Sequence, residues 1–177
     1  MNGLHPITIR PLTEQDAPAF QVLRLRALKE HPEAFATSYE TQLATPMEAV
    51  AQRLRDLDPP AGRFLLGCFV GVEFAGMVGF MREERPKVRH KGLIHAMYVT
   101  AEHHRRGLGK ALMVEAIARA KTLSGLEQIN LAVVANNIAA RTLYLSMGFQ
   151  VFGLERRALC VNGKYVDEEM MVLMLDR

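Results

Sequence analysis

The 177-residue chain predicts an α/β domain: a single mixed, mostly antiparallel sheet of about seven strands flanked by about four helices. Three observations carry that prediction. Strand-like runs come in neighbouring pairs joined by tight turns, as antiparallel hairpins require. Apolar residues at helical spacing fill the intervals between other runs. One strand–helix–strand stretch, from 93 to 134, needs a crossover and therefore a parallel pair. Without repeats or low-complexity tracts, one domain over 1–177 is expected.

Residues 7–12, ITIRPL, alternate as a strand. Thr13 with Asp16 resembles a capping box, and Phe20, Leu23, Ala27 and Leu28 then share one helical face. A second helix should start with Thr45 as N-cap and Pro46 at its first position, with Met47, Val50, Ala51 and Leu54 as its apolar stripe. The stretch 31–44 between these helices reads as a loop or broken helix. Strands 63–70 and 74–82 flank Gly71-Val72-Glu73 as a hairpin, and 83–91 is a charged connection. The apolar run 92–99 suits a central strand. A helix over about 108–123 ends before Gly125, a strand follows at 129–134, and a helix at 138–147 stops at Gly148. RRALCV and KYVDEEMMVLML flank Asn162-Gly163, a strong two-residue hairpin signal.

Composition narrows the function. With net charge +3 and Lys and Arg scattered along the chain, a nucleic-acid binder is not expected, whereas a small anionic ligand fits. No run approaches the ~20 apolar residues of a membrane span, and the first residues lack the layout of a secretory leader. Cys68 and Cys160 show no paired spacing, so reduced thiols and a cytoplasmic setting are expected. His103-His104 could suggest a metal, but adjacent side chains diverge and no further ligand recurs at useful spacing, so none is expected.

The informative stretch is HHRRGLGKAL, 103–112. Two glycines one residue apart open directly into a helix, whose first N–H groups lack partners and attract anions. A nucleotide P-loop fails here, because His104 and Ala111 stand where Gly and Ser or Thr are needed. A dinucleotide fingerprint fails at Leu112. What remains is a polar-x-x-G-x-G turn between a strand and a helix.

That turn within MYVTAEHHRRGLGKALM, together with VVANNIAARTLYLSMGF, resembles the two signature segments of the GNAT superfamily of acyl-CoA-dependent N-acetyltransferases. The second segment matches at Asn137, Ala140, Leu143, Tyr144, Gly148 and Phe149. The resemblance implies acetyl-CoA as co-substrate and an amine as acceptor. It implies that the main chain of Met97, Tyr98 and Val99 pairs with pantetheine. It further implies that residues His104, Arg105, Arg106, Gly107, Leu108, Gly109 and Lys110 surround the pyrophosphate, largely through main-chain N–H groups, and that Asn137 touches the pantetheine arm. His104 departs from the family's usual Gln or Arg. Tyr144 would stand near the thioester sulfur, and a phenol of pKa near ~10 can give the thiolate its proton; by helical spacing alone it would simply pack on the sheet. Phe35 and Tyr39 lie where the family shapes its acceptor pocket, and they serve equally as loop anchors.

The base is harder to place. Some relatives carry a glutamate five residues before the motif's asparagine, where this chain has Ala132. His95, in a stretch similar to the histidine-bearing strand of arylalkylamine N-acetyltransferases, is the candidate; the competing reading is a buried core histidine. Asp167 to Glu169 could line an amine site. The rival to an enzyme is a GNAT-like module that holds acyl-CoA without turnover. A long C-terminal hairpin offers an edge for a homodimer.

Overall fold

The computed structural model describes residues 6–175. Residues 1–5, part of the segment read as lacking a leader, and 176–177 lie outside the described residues, so the domain expected over 1–177 is seen over that span only.

Seven strands form one sheet in the order β1-β2-β3-β4-β5-β7-β6. They are β1 Ile7–Pro11, β2 Arg63–Val70, β3 Glu73–Arg82, β4 Lys91–Val99, β5 Gln128–Val134, β6 Gln150–Val161 and β7 Lys164–Met174. The helices are α1 Ala17–Glu30, α2 Tyr39–Leu43, α3 Met47–Arg55, α4 Leu108–Lys121 and α5 Ile138–Ser146. The fold class read from the sequence is the one observed, with α2 as a fifth helix inside the stretch read as loop or broken helix. Ser38 creates it: its Oγ accepts from the Thr41 N–H at 3.1 Å.

Two helix starts deserve comparison. Asp16 Oδ2 accepts from the Thr13 N–H at 2.8 Å, as the capping pattern anticipated, although it caps a 3₁₀ turn that leads into α1. Thr45 is not the N-cap of α3. Pro46 holds that position, and the Thr45 hydroxyl instead donates back to the Thr41 carbonyl at 2.9 Å. In the last hairpin, Asn162 and Gly163 both take positive φ, as a two-residue turn of that type requires. Its first strand begins at Gln150, earlier than the sequence suggested, because β6 is an edge strand with no fully buried residue to mark it.

Helices cover both faces. Against one, α4 and α5 pack Leu108, Leu112, Met113, Ala116 and Tyr144 onto Leu66, Val78, Ile94 and Ile129. Against the other, α1 and α3 pack Phe20, Leu23, Ala27, Val50 and Leu54 onto Leu65, Met77 and Tyr98. The decisive feature lies between β4 and β5. Every other neighbouring pair is antiparallel; these two run parallel and hold together only at Lys91–Gln128, Gly92–Ile129 and Leu93–Asn130. Beyond Leu93 and Asn130 the strands part. A bulge helps bend β4 away: the β3–β4 register slips between Met77 and Gly79, opposite Ala96, whose φ is +54°.

Candidate active site

The parted strands leave a cavity of about 320 Å³ whose walls come from residues 94–99 of β4 and 131–134 of β5. Its lining includes Tyr144 from α5 and Asn137 at its N-cap, His104 from the turn before α4, Glu168 from β7, and His31 and Phe35 from the α1–α2 side. Because α5 covers one face of the sheet and α1 the other, the gap joins the two sides.

One end of the gap meets the start of α4. The His104 N–H bonds the Ala101 carbonyl, and the next N–H to find a main-chain acceptor is that of Ala111, on the Gly107 carbonyl at 3.0 Å. The N–H groups of residues 105–110 between them have no main-chain acceptor among the described residues, which suits a diphosphate at a helix N-terminus. Arg105 and Gly107 adopt φ of +60° and +78°, which turns this backbone outward. A Cβ on Gly107 would meet no atom within 4 Å, so glycine is needed there for its dihedral and for open access. Gly109 serves closeness instead: its missing Cβ would lie 3.3 Å from Met97 Cε and 3.6 Å from Leu143 Cδ2. Arg105, Arg106 and Lys110 are exposed around this backbone, and none is ion-paired among the described residues.

The remaining expected donor contacts line the same gap. Met97, Tyr98 and Val99 supply its β4 wall. The His104 imidazole holds the Val99 carbonyl at 2.9 Å, which explains how a histidine fits this place: it ties the turn to the strand end. His103 turns inward to Thr100 Oγ1 at 3.1 Å. Among the described residues no group of three or more His, Cys, Asp or Glu side chains could hold a metal. Asn137 caps α5 through Oδ1, which accepts from the Ala140 N–H at 3.1 Å, and its amide NH₂ remains for the cavity. These features fit acetyl-CoA along the gap: a strand edge for an amide-bearing arm and orphan N–H groups for its diphosphate.

Tyr144 is 6% exposed, packs its ring 6.1 Å from Phe149, and has its pKa pushed up to about 12 by burial. It is therefore a neutral phenol at physiological pH. His95 fills the space left by Gly79, where a Cβ would sit 2.4 Å from the imidazole. Burial first, then Arg53 and Arg24, push its pKa down to about 4. His95 is thus the neutral base form throughout the neutral range. Because its folded pKa is lowered, the neutral imidazole survives acidification, and kcat/KM should show no ionisation of this group near the ordinary ~6.5 of histidine. An inflection near 6.5 that vanishes in His95→Gln would contradict this.

Of the three acids that the sequence offers as candidates for an amine site, one lines the cavity. Glu168 lines the cavity, and burial with the neighbouring Glu155 raises its pKa. Asp167 accepts the Arg157 N–H at 2.8 Å, and Glu169 pairs with Arg141 at 2.6 Å. Tyr39, expected with Phe35 in the acceptor pocket, begins α2 and is not part of the cavity lining. Tyr98, chosen for its main chain, also donates its hydroxyl to Glu30 Oε2 at 2.6 Å, pinning β4 to the end of α1. Cys68 is buried in β2 and Cys160 exposed on β6; neither lines the cavity.

A parallel pair pried open beside a glycine-started helix, with a neutral phenol in the opening, suits a site for acyl transfer. The acetyltransferase (GNAT) family pattern matches residues 25–149, and the chain belongs to that family. As a GNAT acetyltransferase it takes its acetyl group from acetyl-CoA. L-amino acid N-acetyltransferase AaaT of Escherichia coli (strain K12) is 26% identical over 147 residues, which is 83% of this chain and 88% of that protein. In fold, the chain is similar to a GNAT-family acetyltransferase of Streptococcus pneumoniae, with TM-score 0.85 and 24% identity over 96% of this chain and 100% of that one. It is also similar in fold to yncA of Salmonella typhimurium, solved with its cofactor acetyl-CoA, with TM-score 0.77 and 21% identity over 97% of this chain and 95% of that one. No described helix is long and apolar enough to cross a membrane.

Proposed function

We propose that this chain acetylates a primary amine by direct transfer within a ternary complex, Tyr144 giving the proton and His95 receiving one. The observation that carries the reading is that Tyr144, His95, Asn137, His104 and Glu168 line one cavity, in the gap between β4 and β5. Bound there, acetyl-CoA supplies an activated acyl group. The main-chain N–H groups of residues 105–110 hold its diphosphate, and β4 with Asn137 lines the arm. Tyr144 keeps its proton for the departing sulfur, because burial holds the phenol protonated. His95, neutral and facing the gap from β4, takes the proton released by the attacking nitrogen, directly or through water. Glu168 attracts the acceptor while it is still an ammonium. Without a cysteine in the cavity, no acyl-enzyme on sulfur is needed.

Two free cysteines support a reducing cytoplasmic setting. Val151, Phe152 and Leu154 are exposed on the edge strand β6, which supports homodimer pairing along that edge.

Thiol release from acetyl-CoA across a panel of amines tests the reading, with calorimetry reporting acetyl-CoA binding in parallel. Release that depends on added amine is expected. Tight acetyl-CoA binding without release on any amine would favour the non-catalytic module. Within this scheme Glu168→Gln should raise the acceptor KM about fivefold while the acetyl-CoA KM stays put, the size of one charge-assisted contact weakened but not abolished. An unchanged acceptor KM would remove Glu168 from acceptor binding.

A further inference from the structure

On the α1 and α3 side of the sheet, two arginines are left without acids while their neighbours are bridged. On α1, Arg26 pairs with Glu30 and Glu102, and on α3, Arg55 pairs with Glu14 and Glu48. Arg24 and Arg53 make no ion pair among the described residues. Arg24 is 6% exposed, its guanidinium carbon lies 4.6 Å from the centre of the Phe35 ring, and its Nη1 has no hydrogen-bond partner among the described residues. It sits seven residues before His31, which follows the last residue of α1. Phe35 and His31 both line the gap. Arg53 lines an adjoining cavity of about 470 Å³, and His95 belongs to the walls of both. These groups feel one another: Arg53 adds to the burial that lowers Arg24 to about 10, and both act on His95.

A guanidinium held this deeply without an anion is costly, and stacking on Phe35 offsets only part of that. The surroundings also differ in sign: Glu168 lines the gap on the β7 side, while on the α1–α3 side Arg24 lies behind Phe35 of the gap wall and Arg53 lines the adjoining cavity that shares His95 with the gap. That polarity complements a molecule with an ammonium at one end and an anion at the other.

We infer that the acceptor is an amine that also bears a carboxylate, and that Arg24 and Arg53 receive the carboxylate on the α1–α3 side of the gap. The inference rests on the acetyl-transfer reading above. Arginine suits the task because its planar fork bonds both carboxylate oxygens at once. The acceptor class is then the free amino acid, with the α-carboxylate as the shared recognition element. Peptide N-termini and simple alkylamines lack that element.

The test compares each free L-amino acid with its own carboxamide, using the purified protein, acetyl-CoA and thiol release. The amide's amine is the less basic of the two, so intrinsic reactivity at neutral pH favours the amide. A preference for the acid must therefore come from the protein. The expected result is a kcat/KM at least about tenfold higher for the acids that are used than for their amides. Arg24→Gln and Arg53→Gln should each lower that acid-to-amide ratio about tenfold through the acceptor KM, with the acetyl-CoA KM unmoved. Arg53 is exposed, so its variant keeps the test valid if the Arg24 variant fails to fold. A ratio near one, or a ratio that the Arg53 variant leaves unchanged, overturns the inference. Acetylation of amides and simple amines alone would sink this inference and leave the acetyl-transfer reading intact. Acetylation of nothing, with acetyl-CoA bound, would sink both.

Discussion

Replacing Tyr144 with phenylalanine lowers turnover about 10²-fold and leaves acetyl-CoA affinity unchanged. The ring's packing is preserved, since its contact with Phe149 and its place among Leu143, Met147 and the β5 side chains need no hydroxyl. What is lost is the proton source. Its phenol, held near pKa 12, is protonated at every pH where the enzyme works, so the defect should not be relieved by acidification. A loss of about 10²-fold corresponds to about 2.7 kcal/mol of barrier, ordinary for one positioned acid. Steady-state kinetics with any accepted amine measures it, with calorimetry for the binding half. Full turnover in the phenylalanine variant would remove Tyr144 from the chemistry.

Replacing Gly107 with valine weakens acetyl-CoA binding by roughly 30-fold with a smaller effect on kcat. The reason is dihedral and not steric collision with the protein, because a Cβ at this position meets nothing within 4 Å. At φ +78° a β-branched residue is strongly disfavoured, so the turn relaxes and the N–H groups that follow no longer converge on the diphosphate. Losing one charge-assisted hydrogen bond of about 2 kcal/mol gives the stated factor. Asparagine, which tolerates positive φ, should cost much less than valine. Calorimetric titration with acetyl-CoA distinguishes these outcomes; equal affinity in wild type and Gly107→Val would mean that the turn is not the diphosphate site.

Much of this was legible because it is local. The hairpins, whose turns the structure places at 71–72 and 162–163, the crossover through α4, and the glycine turn are each written in a few consecutive residues. Asn137 and Tyr144 were legible through a motif that spans a helix start and its body. Other features depend on contacts between distant segments. Nothing in 94–99 or 131–134 says that the parallel pairing stops after Leu93 and Asn130, and no Gly or Pro marks the bulge at Ala96. Glu168 was hidden inside a charged run, since only the sheet's alternation sends it to the cavity while Asp167 and Glu169 find partners elsewhere. Arg24 is not legible in the apolar stripe of α1, because a buried arginine follows the same spacing as its apolar neighbours. Tyr39 and Phe35 looked equivalent in the sequence; Ser38 starts a helix at Tyr39 and separates them.

The central claim is that main-chain N–H groups of residues 105–110 grip a diphosphate and so place an acyl group beside Tyr144. Calorimetry with acetyl-CoA and with acetyl-pantetheine, which keeps the thioester and arm but lacks the diphosphate, addresses it most directly. The structure predicts that acetyl-CoA binds about 10²-fold more tightly, with most of that advantage gone in Gly107→Val. Equal affinity for the two ligands would contradict it.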